Sequence, residues 1–171
     1  MRTISVGMFM LAALPAQAMT IASNDFADGA AIPVPHIYPR CGGQNVSPEL
    51  HWSGVPSSAK SLALTMIDVS VKPSQWSHWI VVDLPPQATE LARGLKTLPA
   101  GAKAVVSNFG DAYYDGPCPP KGTGVHRYQF TIWAMPAAST SIAQDAKAND
   151  VGAKLATSAL AHATVTGTVT P

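Results

Sequence analysis

Arg127-Tyr-Gln-Phe-Thr-Ile-Trp-Ala-Met135 alternates along its whole length, with Tyr128, Phe130, Ile132 and Ala134 set against Gln129, Thr131 and Trp133. A period of two in a run rich in aromatic and β-branched residues predicts a strand with one face in a core. Two runs of similar character precede it. Ser61-Leu-Ala-Leu-Thr-Met-Ile-Asp68 reads as a largely buried strand ending on Asp68, and His78-Trp-Ile-Val-Val-Asp-Leu84 as another, stopped by Pro85-Pro86. Ala104–Asn108 and Thr164–Val169 are shorter candidates. Helix is predicted only late in the chain. Asp150 can cap Val151–Ala163, where Val151, Leu155, Ala159 and Leu160 share a face, and a shorter helix fits near Ser141–Ala148. These elements predict a mainly β fold with a few late helices, residues 19–171 forming a single domain.

Composition agrees with that class. The 171 residues include 13 glycines and 15 prolines, which favour turns over helical bundles. Lys and Arg number 11 against 10 Asp and Glu, and charged residues make up only 12%, against ~25% in an average soluble domain. A net charge of +1 without basic blocks argues against a nucleic-acid partner or a dedicated membrane-surface binder. Residues 1–18 open with Arg2, run apolar from Ile4 to Leu14 and close on Ala16-Gln17-Ala18, the pattern of a cleaved signal peptide. The apolar run is shorter than the roughly 20 residues a transmembrane anchor needs. The expected location is therefore periplasmic or secreted, with cleavage after Ala18.

Three titratable residues stand at strand ends: Asp68, His78 and His126. If their strands are neighbours, the three converge. A carboxylate beside imidazoles fixes the ring tautomers and raises the imidazolium fraction, giving N–H donors for an oxyanion. The alternative is three unrelated polar groups serving strand termini. The Gly/Pro-dense loop that leads into His126 offers close backbone approach to a ligand at Gly116, Gly122 and Gly124, but it lacks a P-loop's Gly-Lys-Ser/Thr.

The stretch Tyr114-Asp-Gly-Pro-Cys-Pro-Pro-Lys-Gly-Thr-Gly-Val-His-Arg-Tyr128 resembles the G-x-x-P-P-x-G-x-x-H-R-Y signature of the phosphatidylethanolamine-binding protein family, closest to its bacterial Raf-kinase-inhibitor-like branch. Ser23-Asn-Asp-Phe26 with Gly29, Cys41–Trp52 and Trp76-Ser-His-Trp-Ile-Val-Val82 agree in order, so the likeness covers roughly residues 21–136. The resemblance implies a large central sheet, a smaller second sheet and flanking helices, with a pocket for phosphate-type anions and phospholipid head groups. It implies that Asp68, His78 and His126 build that pocket, Cys118, Pro119 and Pro120 wall it, and Tyr114 and Tyr128 lie beside it. One departure is Asp68-Val-Ser-Val-Lys-Pro73, where the family's D-P-D-x-P has a second acidic residue in place of Ser70.

Two cysteines in an exported chain favour a Cys41–Cys118 disulfide, since the compartment is oxidising. The competing reading, a nucleophilic Cys118 served by His126, would leave a free thiol exposed to oxidation. No metal or other cofactor is expected: Asp68, His78 and His126 are suitable ligand types, but their spacing matches no metal motif. Trp52, Trp76, Trp79 and Trp133 are expected as core or pocket wall, His162 as a residue of the late helix, and His36 and His51 without function. The expectation is a non-catalytic binding protein for a small phosphorylated ligand or a phospholipid head group. The second reading is a regulator or inhibitor of a partner protein, a kinase or a protease, through the same pocket.

Overall fold

The computed structural model describes residues 18–171, so all of the expected signal peptide except Ala18 lies outside the described residues. Five antiparallel strands form the main sheet in the order β6-β4-β3-β7-β8: Lys103–Ala104, Trp76–Leu84, Ser61–Asp68, His126–Met135 and Ala161–Val169. A smaller sheet pairs β1 (Thr20–Ala22), β2 (Leu50–Ser53) and β5 (Glu90–Leu91). One helix, α1 (Ala148–Ser158), precedes β8.

The alternation in β7 divides the molecule into layers. Tyr128, Phe130, Ile132 and Ala134 enter a core with Leu62, Leu64, Met66 and Val81, closed by Ile21, Leu50, Trp52 and Leu91 of the small sheet. Trp133, from the opposite face of β7, joins Ala63, Ile80 and Val82 against Val151 and Leu155 of α1. Strand β4 is buried on both faces from Ser77 to Leu84, which explains its near-continuous apolar run.

The late elements differ from the sequence expectation. The helix starts after Lys147, so Asp150 sits in its first turn instead of capping it, and the chain is already extended at Ala159. Ala159 and Leu160 are not helical. The Leu160 N–H donates to the Ala134 carbonyl at 2.8 Å, and β8 then pairs with β7 from Ala161 to Val169. This long ladder overrides the helical preference of the Ala-rich segment 159–163. His162 therefore lies on a strand, its ring 5.1 Å from that of Trp133.

No helix forms over 141–147: Ser141 is in the left-handed region, at φ 53°, and the chain just before it is held by the Asp83 carboxylate. That group accepts the Thr140 N–H at 2.7 Å and hydroxyl at 2.9 Å, the Ser139 hydroxyl at 3.1 Å and Lys103 Nζ at 3.2 Å. The expected strand 104–108 shrinks because Ser107 N–H turns back to the Asp111 carbonyl at 2.7 Å. Among the described residues no helix is long and apolar enough to cross a membrane.

Candidate functional site

Strand register assembles the site. Asp68 at the end of β3 pairs with Tyr128 of β7 on one side and Trp76 of β4 on the other. His126 and His78 follow by the two-residue period on the same face. Together with Cys118, Pro119 and Pro120, these residues line a cavity of about 280 Å³ that Arg40, Val71 and Phe109 complete.

Asp68 is buried and fully engaged. One oxygen, Oδ2, accepts His126 Nδ1–H at 2.6 Å, and Oδ1 accepts the Ser70 N–H at 2.9 Å. Tyr128 stands beside this carboxylate; burial first, and then Asp68, push the phenol far above its ordinary pKa. The other ring nitrogen of His126 meets Thr123 Oγ1 at 2.8 Å, and that hydroxyl donates to the Pro120 carbonyl at 2.7 Å. A continuous chain, Asp68–His126–Thr123–Pro120, thus fixes the ring to the loop. In this arrangement both ring nitrogens are engaged, Nδ1 by Asp68 and Nε2 by Thr123.

His78 is a different kind of group. Its Nδ1–H donates to the Asp115 carbonyl at 2.8 Å, which leaves a lone pair on Nε2. Burial pushes its pKa down to about 4, despite the opposing pull of that bond and of Asp68. The expected imidazolium donor is therefore a neutral ring offering an acceptor, because desolvation outweighs the nearby carboxylate. Phe109, 5.0 Å away, and Tyr128, edge-on at 5.1 Å, hold it. Behind it, burial first and then the neighbouring Asp111 carboxyl raise Asp115 to about 7.

Two expected site residues do not line this cavity. Tyr114 is buried beneath it, donating its hydroxyl to the His36 carbonyl at 2.8 Å and packing edge-on against Trp79. Gly116 lies directly under the 36–38 backbone, where a Cβ would collide with the His36 carbonyl. Its N–H donates to Asn45 Oδ1 at 2.7 Å, while Asn45 Nδ2 donates to the Tyr114 carbonyl at 2.9 Å. The close approach at Gly116 is to the protein's own chain instead of a ligand. Gly122 and Gly124, also absent from the lining, have φ of 83° and 79° and serve the turn.

His36 is buried, with Nδ1 2.7 Å from the Val46 carbonyl and Nε2 3.7 Å from Asp25, and His51 pairs with Glu49 at 2.9 Å. Among the described residues, no three His, Cys, Asp or Glu side chains cluster as a metal site. The residues that sequence reasoning missed, Arg40, Val71 and Phe109, come from loops. The Cys41–Cys118 disulfide, with Cα atoms 5.5 Å apart, carries Arg40 to the Pro119-Pro120 wall. Adjacency to Cys41 was the one available signal for Arg40.

Comparison with known proteins gives a consistent result. The model of a family described as "Phosphatidylethanolamine-binding protein" matches residues 22–170. A UPF0098 protein of Aquifex aeolicus is 36% identical over 151 residues, covering 87% of this chain and 86% of its own. The UPF0098 protein YbcL of Escherichia coli is 35% identical over 166 residues, covering 92% and 91%. The crystal structure of E. coli YbcL, described as a new member of the mammalian PEBP family, superposes with a TM-score of 0.85 at 33% identity, over 91% of this chain and 99% of that one.

Proposed function

The chain belongs to the phosphatidylethanolamine-binding protein family, and on that premise we propose that it binds a small phosphate-bearing ligand, without chemical turnover, in the cavity between Asp68, His78 and His126. The observation that carries this reading is the convergence of the exposed Arg40 guanidinium with His126 on one cavity. Arg40 is the one Lys or Arg in the lining, and Asp68 spends its charge on His126 and the Ser70 N–H. An entering phosphate gives up water, and charge-assisted bonds from Arg40 replace it, beside a His126 ring already held by Asp68 and Thr123. The neutral His78 Nε2 accepts a hydrogen bond from a P–OH or from a head-group ammonium. It thereby favours a ligand that brings a donor next to its phosphate.

Nothing in the arrangement primes a nucleophile, since Cys118 is held in the disulfide. The half-exposed disulfide also fits a protein that works outside the cytoplasm, as the sequence of residues 1–18 suggests. The test is calorimetric titration with inorganic phosphate. Wild-type protein should bind, and Arg40→Gln should bind at least about tenfold more weakly, the loss of one charge-assisted hydrogen bond. Absence of binding to the wild type, or equal affinity in Arg40→Gln, would overturn the reading.

A further inference from the structure

On the other face of the main sheet, away from Arg40, His78 and His126, a cleft of about 390 Å³ lies under α1. Part of the layer between helix and sheet is ordinary core, where Trp133, Ile80 and Val82 meet Val151 and Leu155. The rest is polar. Strand register sets Thr65, Thr131 and Thr164 side by side across β3, β7 and β8. The neighbouring row brings Ser77, Ile67 and Gln129 together across β4, β3 and β7. Above these rows α1 presents Ala148, Gly152, Ala153 and Ala156, residues too small to fill the space.

Hydrogen bonding within this face is incomplete. Thr131 and Thr164 share one bond between their hydroxyls at 2.8 Å, and Thr65 Oγ1 accepts the Trp133 indole N–H at 3.0 Å. Ser77 is only 2% exposed and lines the same cleft, yet its Oγ has no partner among the described residues. A buried hydroxyl left unbonded costs stability, and a ligand that supplies its partner recovers that cost. The lining carries no Lys, Arg, Asp or Glu, so nothing in it compensates an ion for lost hydration. Beyond the threonine row, Trp133 and His162 stand with their rings 5.1 Å apart and add flat walls. Hydroxyls and amides beside aromatic rings match a sugar ring, which has polar edges and C–H faces. The volume lies within the roughly 300–1,000 Å³ of small-molecule sites.

We propose that this cleft binds a small uncharged polyol, one sugar ring in size. Ser77 Oγ, the Thr65 hydroxyl and the Gln129 amide bond the hydroxyl groups of that ligand. The cleft shares no lining residue with the anion cavity, so it stands or falls independently of the phosphate reading.

Heteronuclear NMR of the isotope-labelled protein tests the site. Glucose at millimolar concentration should shift the Ser77 and Thr131 amide signals and the Trp133 indole signal in a saturable way. Glucuronate, the same ring with a carboxylate, should bind severalfold more weakly, and so should cyclohexanol, which keeps one hydroxyl. Ser77→Ala should weaken glucose binding severalfold. Ala156→Leu, at an exposed helical position, puts a longer side chain into the cleft and should abolish the glucose shifts. Glucose shifts that are absent, that lie outside the cleft or that persist in Ala156→Leu overturn the proposal. Wild-type glucose affinity in Ser77→Ala, or equal binding of glucuronate or cyclohexanol, overturns it as well.

Discussion

His78 and Asp115 share a backbone contact yet respond to pH in opposite directions. His78 is harder to protonate in the fold than in the unfolded chain, with its pKa lowered from 6.5 to about 4. Its contribution to stability is complete above about pH 6.5 and is lost as pH falls through about 4, in total about 3 kcal/mol. Asp115, raised from 3.8 to about 7, contributes stability that is complete below the ordinary carboxylate range and is lost as pH rises through about 7. The two effects oppose each other over the same interval and flatten the wild-type profile. Urea denaturation between pH 4.5 and 6.5 separates them: Asp115→Asn should become more stable as pH rises, and His78→Gln less stable. Slopes of the same sign in both variants would refute the assignment. The residue scale is also where sequence reasoning stopped short. The positions of His78 and His126 at strand starts were readable, but the burial that makes one of them neutral arises, besides Tyr128, from Phe109 and the 115–116 backbone, which strand spacing does not place.

At the scale of elements, legibility followed the length of the pattern. β3, β4 and β7 were readable because each carries a long apolar or alternating run, and their adjacency brought Asp68, His78 and His126 together. The segment 159–163 was not, because its Ala-rich composition favours helix while its conformation is decided by the open edge of β7. Loops 36–46 and 114–118 were unreadable for a related reason: each is shaped by the other, through Asn45, the Tyr114 hydroxyl and the Gly116 contact. Gly116→Ala tests this mutual support. A Cβ there meets main chain, which has no side-chain rotamer to yield, so the variant should lose at least about 1–3 kcal/mol in chemical denaturation. It should also weaken phosphate binding, although Gly116 does not line the cavity. Wild-type stability would show that the two loops are not tightly joined.

Over the whole molecule, the main sheet is packed on both faces, by the small sheet on one side and α1 on the other. The candidate site lies where β3, β4 and β7 terminate, and the Cys41–Cys118 bridge ties the loops above it across a sequence separation of 77 residues. In the chain-entropy account a closure of that length is worth roughly 4 kcal/mol. The double variant Cys41→Ser/Cys118→Ser should therefore melt roughly 10 °C lower by calorimetry, using the entropy of unfolding usual for this size. It should also bind phosphate more weakly, because Arg40 would no longer be tethered to its wall. Unchanged melting and affinity would mean that hydrogen bonds alone hold the loops.

The early segment 28–32 has its partners in β8: Gly29 N–H reaches the Thr166 carbonyl at 2.7 Å, Thr168 N–H the Ala30 carbonyl at 2.8 Å and Thr166 N–H the Asp28 carboxylate at 2.8 Å. During synthesis those partners reach the nascent chain some 135 residues after the segment that needs them. Until then β7 lacks its outer neighbour and the cleft under α1 lacks a wall, so ligand binding there cannot precede the closing of the fold.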